Sequence, residues 1–165
     1  MKMAKEKFCR IMRIFFLFTV FSLFFHFGYS FSKVEGNSMN PTLIDGQRLL
    51  VDEWTYRFFN PEKQEVVILK DPEESGELVK RVIGVEGDTV QVKFGKIFLN
   101  GVELKDEFSH IAIIFYINEE ETLWLNENGN KIKIPKGHVW VIGDNREASW
   151  YGLVKISQIQ GKVLR

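Results

Sequence analysis

The most apolar part of the chain lies close to its start. Residues 14–31 are a Phe-rich run of 18 residues without Asp, Glu, Lys or Arg, in which His26 is the one basic residue. As a helix with about 1.5 Å of rise per residue, this run would cover about 27 Å, which is close to the hydrocarbon thickness of a bilayer. The apolar core of a cleavable signal peptide is shorter, at about 7–15 residues. The pattern therefore predicts an uncleaved transmembrane anchor over residues 14–31.

Beyond residue 31 the pattern changes to short apolar runs separated by turn residues. An Asn-Gly pair at 100–101 is a strong hairpin signal after one of these runs. The pattern predicts a mainly β domain over residues 32–165, with short strands and frequent turns. We interpret as strands, or as a turn leading into a strand, residues 45–52, 65–69, 78–85, 88–94, 96–99, 131–134, 138–142 and 158–164, the last of which should close the sheet. Residues 111–117 are a further apolar run.

An aromatic segment at 54–59 (WTYRFF) follows the first of these strands. Amphipathic aromatic side chains are enriched at membrane–water interfaces, so this segment could rest on the bilayer. The same residues could equally form ordinary core, and the sequence leaves both interpretations open.

Charge is unevenly distributed along the chain, although the formal net charge is zero. Basic residues beside a membrane segment stay in the cytoplasm, which predicts a cytoplasmic tail over residues 1–13 and an extracytoplasmic domain over residues 32–165. The rest of the chain is slightly acidic, and this argues against a nucleic-acid partner, which needs a basic face. Within the first 13 residues, five basic side chains stand against Glu6 alone: Lys2, Lys5, Lys7, Arg10 and Arg13.

Cysteine usage excludes two kinds of site. Cys9 is the only cysteine, so the chain has no intrachain disulfide and no Cys cluster for a metal ion. We interpret Cys9 as a small residue at the membrane border, and we expect no cofactor. The acidic run at 119–121 is most simply a solvated turn, because a cation site needs more oxygen ligands at defined spacing.

The candidate nucleophile is Ser38, in the run VEGNSMNPTL at 34–43. Gly36 lets the backbone approach other groups closely just before the serine. Alone, this Gly-x-Ser pattern is weak, since serines lie beside glycines in many loops. A serine hydroxyl is also a poor nucleophile until a base takes its proton.

The candidate base is Lys80. A lysine titrates at about 10.4 in water and is therefore protonated at neutral pH, so it must be desolvated to act as a base. Lys80 has four apolar neighbours along the chain, Val79, Val82, Ile83 and Val85, although an isolated lysine in such a strand is ordinarily a surface residue. The three histidines lie outside any motif, and we assign surface or packing roles to them: His26, His110 and His138.

Three runs, taken in order, resemble the conserved boxes of type I signal peptidases, the membrane-bound Ser/Lys proteases that remove signal peptides. They are VEGNSMNPTL at 34–43, VKRVIGVEGDTV at 79–90 and GDNREAS at 143–149. The resemblance extends from the membrane segment to the end of the chain. It implies an antiparallel β-sheet domain with an N-terminal transmembrane helix, in which Ser38 attacks the scissile carbonyl and Lys80 accepts its proton.

The resemblance also implies several supporting residues. Met39 would shape the site beside the serine, and Arg81 would pair with Asp144. Some family members carry a side-chain hydroxyl at the position of Gly36, so the contribution of this hydroxyl to the site is absent or replaced here. The backbone N–H of Ser38 would help to stabilise the oxyanion.

The implied substrates are exported preproteins whose signal peptides carry Ala, Gly or Ser at the first and third positions before the cut. The substrate would bind in an extended form and add a strand beside the backbone of Gly36, Leu78 and Val79. A membrane anchor would hold the site near the outer leaflet, where the cleavage site emerges, and raise the effective concentration of substrate.

The third run departs from the family pattern. GDNR ordinarily continues through a serine to Asp-Ser-Arg, then to an aromatic residue and Gly, whereas here Ser149 is followed at once by WYG at 150–152. Counted from Gly143, Ser149 matches the serine that orients the lysine amine. A hydroxyl suits this role because it can donate to a neutral amine without adding a charge that would keep the amine protonated.

Two other functions compete with a working peptidase. The shortened third run favours a specialised accessory relative that assists the assembly of pilins or other surface proteins, with weak or no peptidase activity. A self-cleaving Ser/Lys repressor would need a DNA-binding helical domain, and the N-terminus offers a predicted membrane helix instead.

Overall fold

The computed structural model of the chain describes residues 2–70, 76–93, 95–105 and 131–164. His110, the apolar run at 111–117 and the acidic run at 119–121 lie outside the described residues. The described part contains two helices, eleven strands and one short 3-10 helix.

The elements follow one another in an order dominated by strands. The helices are α1 (Lys2–Gly28) and α2 (Thr55–Phe58), and the 3-10 turn covers Ile156–Gln158. The strands are β1 (Tyr29–Lys33), β2 (Arg48–Asp52), β3 (Val66–Lys70), β4 (Glu77–Gly84), β5 (Thr89–Lys93), β6 (Lys96–Leu99), β7 (Val102–Glu103), β8 (Ile132–Lys133), β9 (His138–Ile142), β10 (Tyr151–Lys155) and β11 (Ile159–Leu164).

The N-terminal helix differs from the predicted anchor at both ends. Helix α1 begins well before residue 14 and ends at Gly28, and residues 29–31 belong to β1, where they pair with residues 50–52 of β2. Among the described residues, no helix is both long enough and apolar enough to cross a membrane. The described residues therefore give no support to the transmembrane helix predicted over residues 14–31, and the anchor stays a prediction.

The strands form two antiparallel sheets. The larger sheet has the order β1-β2-β11-β3-β4-β9-β10, and the smaller one has the order β7-β6-β5-β8. The mainly β, antiparallel architecture implied by the sequence is thereby confirmed. The last strand, β11, does not close an edge but lies between β2 and β3. Strands β1 and β10, which the sequence pattern did not predict, form the two edges instead.

Strand β3 shows why a strand of the larger sheet can appear in the sequence as a continuous apolar run. Side chains alternate between the two faces of a strand, and both faces of β3 are covered. Val66 and Ile68 pack in one apolar cluster, whereas Val67 and Leu69 pack in another. All four side chains are therefore buried, and no polar alternation marks this strand.

The hairpin predicted at Asn100-Gly101 is confirmed. Strands β6 and β7 pair on either side of it, with Leu99 opposite Val102. Asn100 has φ of 53° and Gly101 has φ of 84°, so both turn residues adopt the left-handed conformation that a tight two-residue hairpin requires.

The aromatic segment at 54–59 forms α2 and divides between core and surface. Tyr56 packs against an apolar cluster, whereas Phe58 and Phe59 are 68% and 70% exposed. Asp52 fixes the start of the segment by accepting hydrogen bonds from the backbone N–H groups of Trp54 and Thr55. Burial raises the pKa of Asp52, but the hydrogen bonds from Thr55 and Trp54 outweigh it and hold this pKa below its usual range.

Candidate active site

Ser38 lies in the loop that follows β1, and its position is fixed from both sides. Val34 and Met39 are buried in the core, at 3% and 1% exposure, and so anchor the loop before and after the serine. Gly36 adopts φ of 84°, a left-handed conformation that favours glycine, and its N–H donates to Asp45 Oδ1 at 2.9 Å. Ser38 itself is half-buried.

Lys80 lies in the middle of β4 and is only 2% exposed. Its neighbours two residues away on the strand, Leu78 and Val82, belong to an apolar cluster, and Val67 lies opposite it on β3. Because successive side chains alternate in direction, Lys80 points from an apolar face of the sheet. Such surroundings remove the hydration that stabilises an ammonium group.

Ser149 makes the contact that holds the Lys80 amine. Lys80 Nζ donates to Ser149 Oγ at 3.0 Å, and the backbone N–H of Gly143 donates to the same oxygen at 2.8 Å. The hydroxyl proton of Ser149 is directed to the carbonyl oxygen of Trp150 at 2.9 Å. Ser149 Oγ therefore lies within hydrogen-bond reach of both the Lys80 amine and the backbone of the 143–149 loop.

Arg81, which follows Lys80 in the sequence, forms a buried, bidentate ion pair with Asp144. Arg81 Nε lies 2.7 Å from Asp144 Oδ1, and Arg81 Nη2 lies 2.6 Å from Asp144 Oδ2. Arg81 Nη1 also donates to the carbonyl oxygen of Gln64 at 2.8 Å. The pairing that the resemblance implied is thus present, and it ties the start of the 143–149 loop to β4 beside Lys80.

Gly143 lies where the loop of the serine meets the loop of Ser149. A Cβ atom at this position would collide with the carbonyl oxygen of Ser38 and with the hydroxyl of Ser149. The neighbouring Asn145 donates its backbone N–H to the Ser38 carbonyl at 3.0 Å and its side-chain Nδ2 to the Asn37 carbonyl at 3.1 Å. Sequence reasoning missed both contributions, although the run GDNREAS already contained the two residues.

A groove with a volume of about 360 Å³ opens beside the serine. Its wall includes Ser38, Met39, Leu78 and Val79, which the sequence assigned to nucleophile, site shape and substrate binding. Gly36 is not among the residues that line this part of the described structure, so the groove does not include every predicted substrate contact.

The remaining chemical candidates lie elsewhere or form no cluster. In the ranges that the structure describes, no group of three or more His, Cys, Asp or Glu side chains could hold a metal ion. His138 begins β9, and its ring Nδ1 lies 3.0 Å from the carbonyl oxygen of Lys136. Cys9 is exposed on α1.

Comparison with known proteins points to one family. The family model described as signal peptidase, peptidase S26, matches residues 7–165. Signal peptidase I P of Bacillus subtilis subsp. natto is 36% identical over 135 residues, which cover 78% of this chain and 70% of the relative. Signal peptidase I V of Bacillus subtilis strain 168 is 33% identical over 137 residues, which cover 79% of this chain and 81% of the relative. Signal peptidase IB of Staphylococcus aureus strain N315 is 35% identical over 144 residues, which cover 79% of this chain and 73% of the relative.

Proposed function

The chain belongs to the signal peptidase family, peptidase S26, and on that premise we propose that this serine endopeptidase removes signal peptides from exported preproteins with Ser38 as nucleophile and Lys80 as general base. The observation that carries the assignment is the buried contact of 3.0 Å between Lys80 Nζ and Ser149 Oγ. A buried lysine on an apolar face, held by a neutral hydroxyl, has the surroundings that a neutral amine base requires.

The proposed reaction has two stages. In the first, Ser38 Oγ attacks the scissile carbonyl while the Lys80 amine takes the serine proton, and the backbone N–H of Ser38 stabilises the oxyanion. The tetrahedral intermediate then collapses, the C–N bond breaks, and Lys80 delivers the proton to the leaving amine. In the second stage Lys80 takes a proton from water, which attacks the Ser38 ester, and the proton returns to Ser38 Oγ as the acyl group leaves.

We propose that the groove beside Ser38 binds the residues that precede the cut. Apolar side chains from two segments line it, with Val34 and Met39 on one side and Leu78 and Val79 on the other. An extended peptide between these segments can gain main-chain hydrogen bonds from the backbone, and the family resemblance implies Ala, Gly or Ser at the first and third positions before the cut.

A cleavage assay tests this proposal. We expect the detergent-solubilised protein to cut a precursor with an Ala-x-Ala site at the bond that follows it. Replacing the first Ala before the cut by Phe should lower kcat/KM by about 100-fold or more, because an oversized group cannot enter a small pocket without displacing its walls. Mass spectrometry of the products would identify the bond. No cleavage of the Ala-x-Ala precursor, or equal cleavage of both, would contradict the proposal.

The accessory interpretation depended on a third run too short to support the lysine. The contact between Ser149 and Lys80 supports the peptidase instead, because the shortened run still brings a hydroxyl to the amine. Pilins are therefore proposed here only as one class of exported substrate.

We propose that the lipid bilayer is a further partner, with the N-terminus in the cytoplasm and the β domain outside. Helix α1 exposes a row of large apolar side chains, among them Phe15, Phe16 and Phe18 at 67%, 66% and 69% exposure. Such a surface is costly in water and favourable in lipid. The basic residues of the first 13 positions support the orientation.

Protease protection tests the orientation. We expect protease added to intact spheroplasts to digest the β domain, because an extracytoplasmic domain is accessible without lysis. A cytoplasmic marker protein should survive the same treatment and serves as the control. Digestion of the domain only after lysis would reverse the assignment.

A further inference from the structure

We propose that Asn145 is a positioning residue that orients the peptide group between Asn37 and Ser38 and so aims the Ser38 N–H at the oxyanion. The inference rests on the proposed function, in which Ser38 is the nucleophile. It assigns a role to a side chain that makes no proton transfer and that lies far from the serine loop in sequence, 108 positions after Asn37.

The carbonyl of Asn37 is held by two donors. Asn145 Nδ2 donates to it at 3.1 Å, and the backbone N–H of Asn40 donates to it at 3.1 Å. Asn145 also donates its own backbone N–H to the Ser38 carbonyl at 3.0 Å. The two carbonyls that flank the N–H and the side chain of Ser38 are therefore both fixed by the same asparagine.

The geometry of the peptide bond transmits this constraint to the nucleophile. The Asn37 carbonyl and the Ser38 N–H belong to one peptide group, and the bond is trans. In a planar trans group the C=O and the N–H point in opposite directions, so fixing one fixes the other. With its carbonyl directed at the Asn145 amide, the Ser38 N–H points away from the 143–149 loop. No described residue accepts a hydrogen bond from it.

Misalignment of the Ser38 N–H should destabilise the transition state without weakening substrate binding. Removing one oxyanion donor costs about 10²–10³-fold in kcat, and a donor that is present but less well aimed should cost less. The substrate carbonyl in the ground state carries little charge, so loss of alignment should lower kcat while leaving KM unchanged.

The same loop then controls both halves of the proposed catalytic pair. Ser149, near its end, holds the Lys80 amine, and Asn145, near its start, holds the Ser38 peptide group. These are separable functions, because the Asn145 side chain contacts the serine loop and Ser149 contacts the base. A substitution at Asn145 should therefore leave the titration of Lys80 untouched.

The test compares Asn145→Ala and Asn145→Asp with wild type in the Ala-x-Ala cleavage assay. Asn145→Ala removes the side-chain donor but keeps the backbone N–H that donates to Ser38. Asn145→Asp keeps the shape and places an acceptor against the Asn37 carbonyl. Asn60→Ala and Asn60→Asp make the same changes at an exposed position outside the loop and are the matched controls.

We expect both Asn145 variants to lower kcat by about 10- to 100-fold, with KM within about twofold of wild type. Asn145→Ala should keep the melting temperature of Asn60→Ala and the same pH at half-maximal kcat as wild type. Wild-type kcat in Asn145→Ala would overturn the inference. So would a loss of kcat that merely follows a lowered melting temperature, or a shifted pH midpoint, since the latter would place the effect on Lys80.

The outcome also separates this inference from the function on which it rests. If Ser38→Ala abolishes cleavage while Asn145→Ala behaves as wild type, only the positioning role is wrong. If Ser38→Ala retains cleavage, the proposed function itself is wrong.

Discussion

Replacing Ser38 or Lys80 by Ala is expected to reduce cleavage of an Ala-x-Ala precursor by about 10⁴- to 10⁶-fold, because each change removes one half of a unit that transfers a proton. A serine without its base remains protonated, and a base without its serine has no nucleophile to activate. The double variant should be no worse than either single variant, since residues that act as a unit are strongly non-additive.

The fold should survive these changes. Ser38 is half-buried in a loop whose anchors, Val34 and Met39, are untouched. Lys80 is 2% exposed, so its truncation leaves a cavity but also removes a polar group from an apolar face. Lys80→Met keeps much of the volume without the amine, and it should be as inactive as Lys80→Ala while retaining more stability.

A matched control is available for the lysine. Lys96 lies in the smaller sheet, is about half exposed at 51%, and pairs with Glu103, so Lys96→Ala removes a lysine without touching the groove. It should keep wild-type kinetics, because exposed ion pairs contribute little. Near-native activity in Lys80→Ala would reject the Ser/Lys mechanism and require a histidine base. Cleavage rates and thermal melts of wild type and the five variants are the measurements.

The strands differ in whether the sequence could predict them. The apolar run at 65–69 was identified as a buried strand because all four of its apolar side chains find a core, on one face or the other. Strand β1 was missed because Phe31 continues the apolar run of α1, although in the structure it lies on an edge strand and is 79% exposed. Hydrophobicity alone does not distinguish a residue covered by neighbours from one that lies on an exposed edge.

The residues of the candidate site also differ in whether the sequence could predict them. Ser38, Lys80 and the pairing of Arg81 with Asp144 could be inferred from runs of sequence, because each is carried by residue type and order. The roles of Gly143 and Asn145 could not, because they depend on which backbone atoms come within reach: a Cβ at Gly143 would collide with Ser38, and Asn145 binds two carbonyls of the serine loop. Contacts with backbone atoms leave no pattern of residue types.

The contacts of Ser149 decide what its removal should do. Ser149 Oγ lies 3.0 Å from Lys80 Nζ, accepts from the backbone N–H of Gly143 at 2.8 Å, and lies 2.9 Å from the Trp150 carbonyl oxygen. With one amine hydrogen bound to Ser149, the orientation of the amine is constrained, and so is the direction of its lone pair.

Ser149→Ala is therefore expected to lower kcat by about 100-fold, the scale on which a small misplacement of a catalytic group acts. Because an accepting oxygen stabilises an ammonium more than a neutral amine, its loss should also move the pH of half-maximal kcat to a lower value, in contrast to Asn145→Ala. The buried Gly143 N–H loses its acceptor as well, which should cost about 1–3 kcal/mol of the free energy of unfolding.

Ser157→Ala provides the comparison, since Ser157 is exposed in the 3-10 turn at Ile156–Gln158 and lies outside the 143–149 loop. It should match wild type in kcat, in the pH profile and in the free energy of unfolding. Steady-state kinetics across pH, together with urea unfolding, would measure all three effects for both variants. Unchanged kcat in Ser149→Ala would show that the amine keeps its direction without this hydroxyl. In that case the 143–149 loop would hold Ser38 and Arg81, and other contacts of Lys80 would position the base.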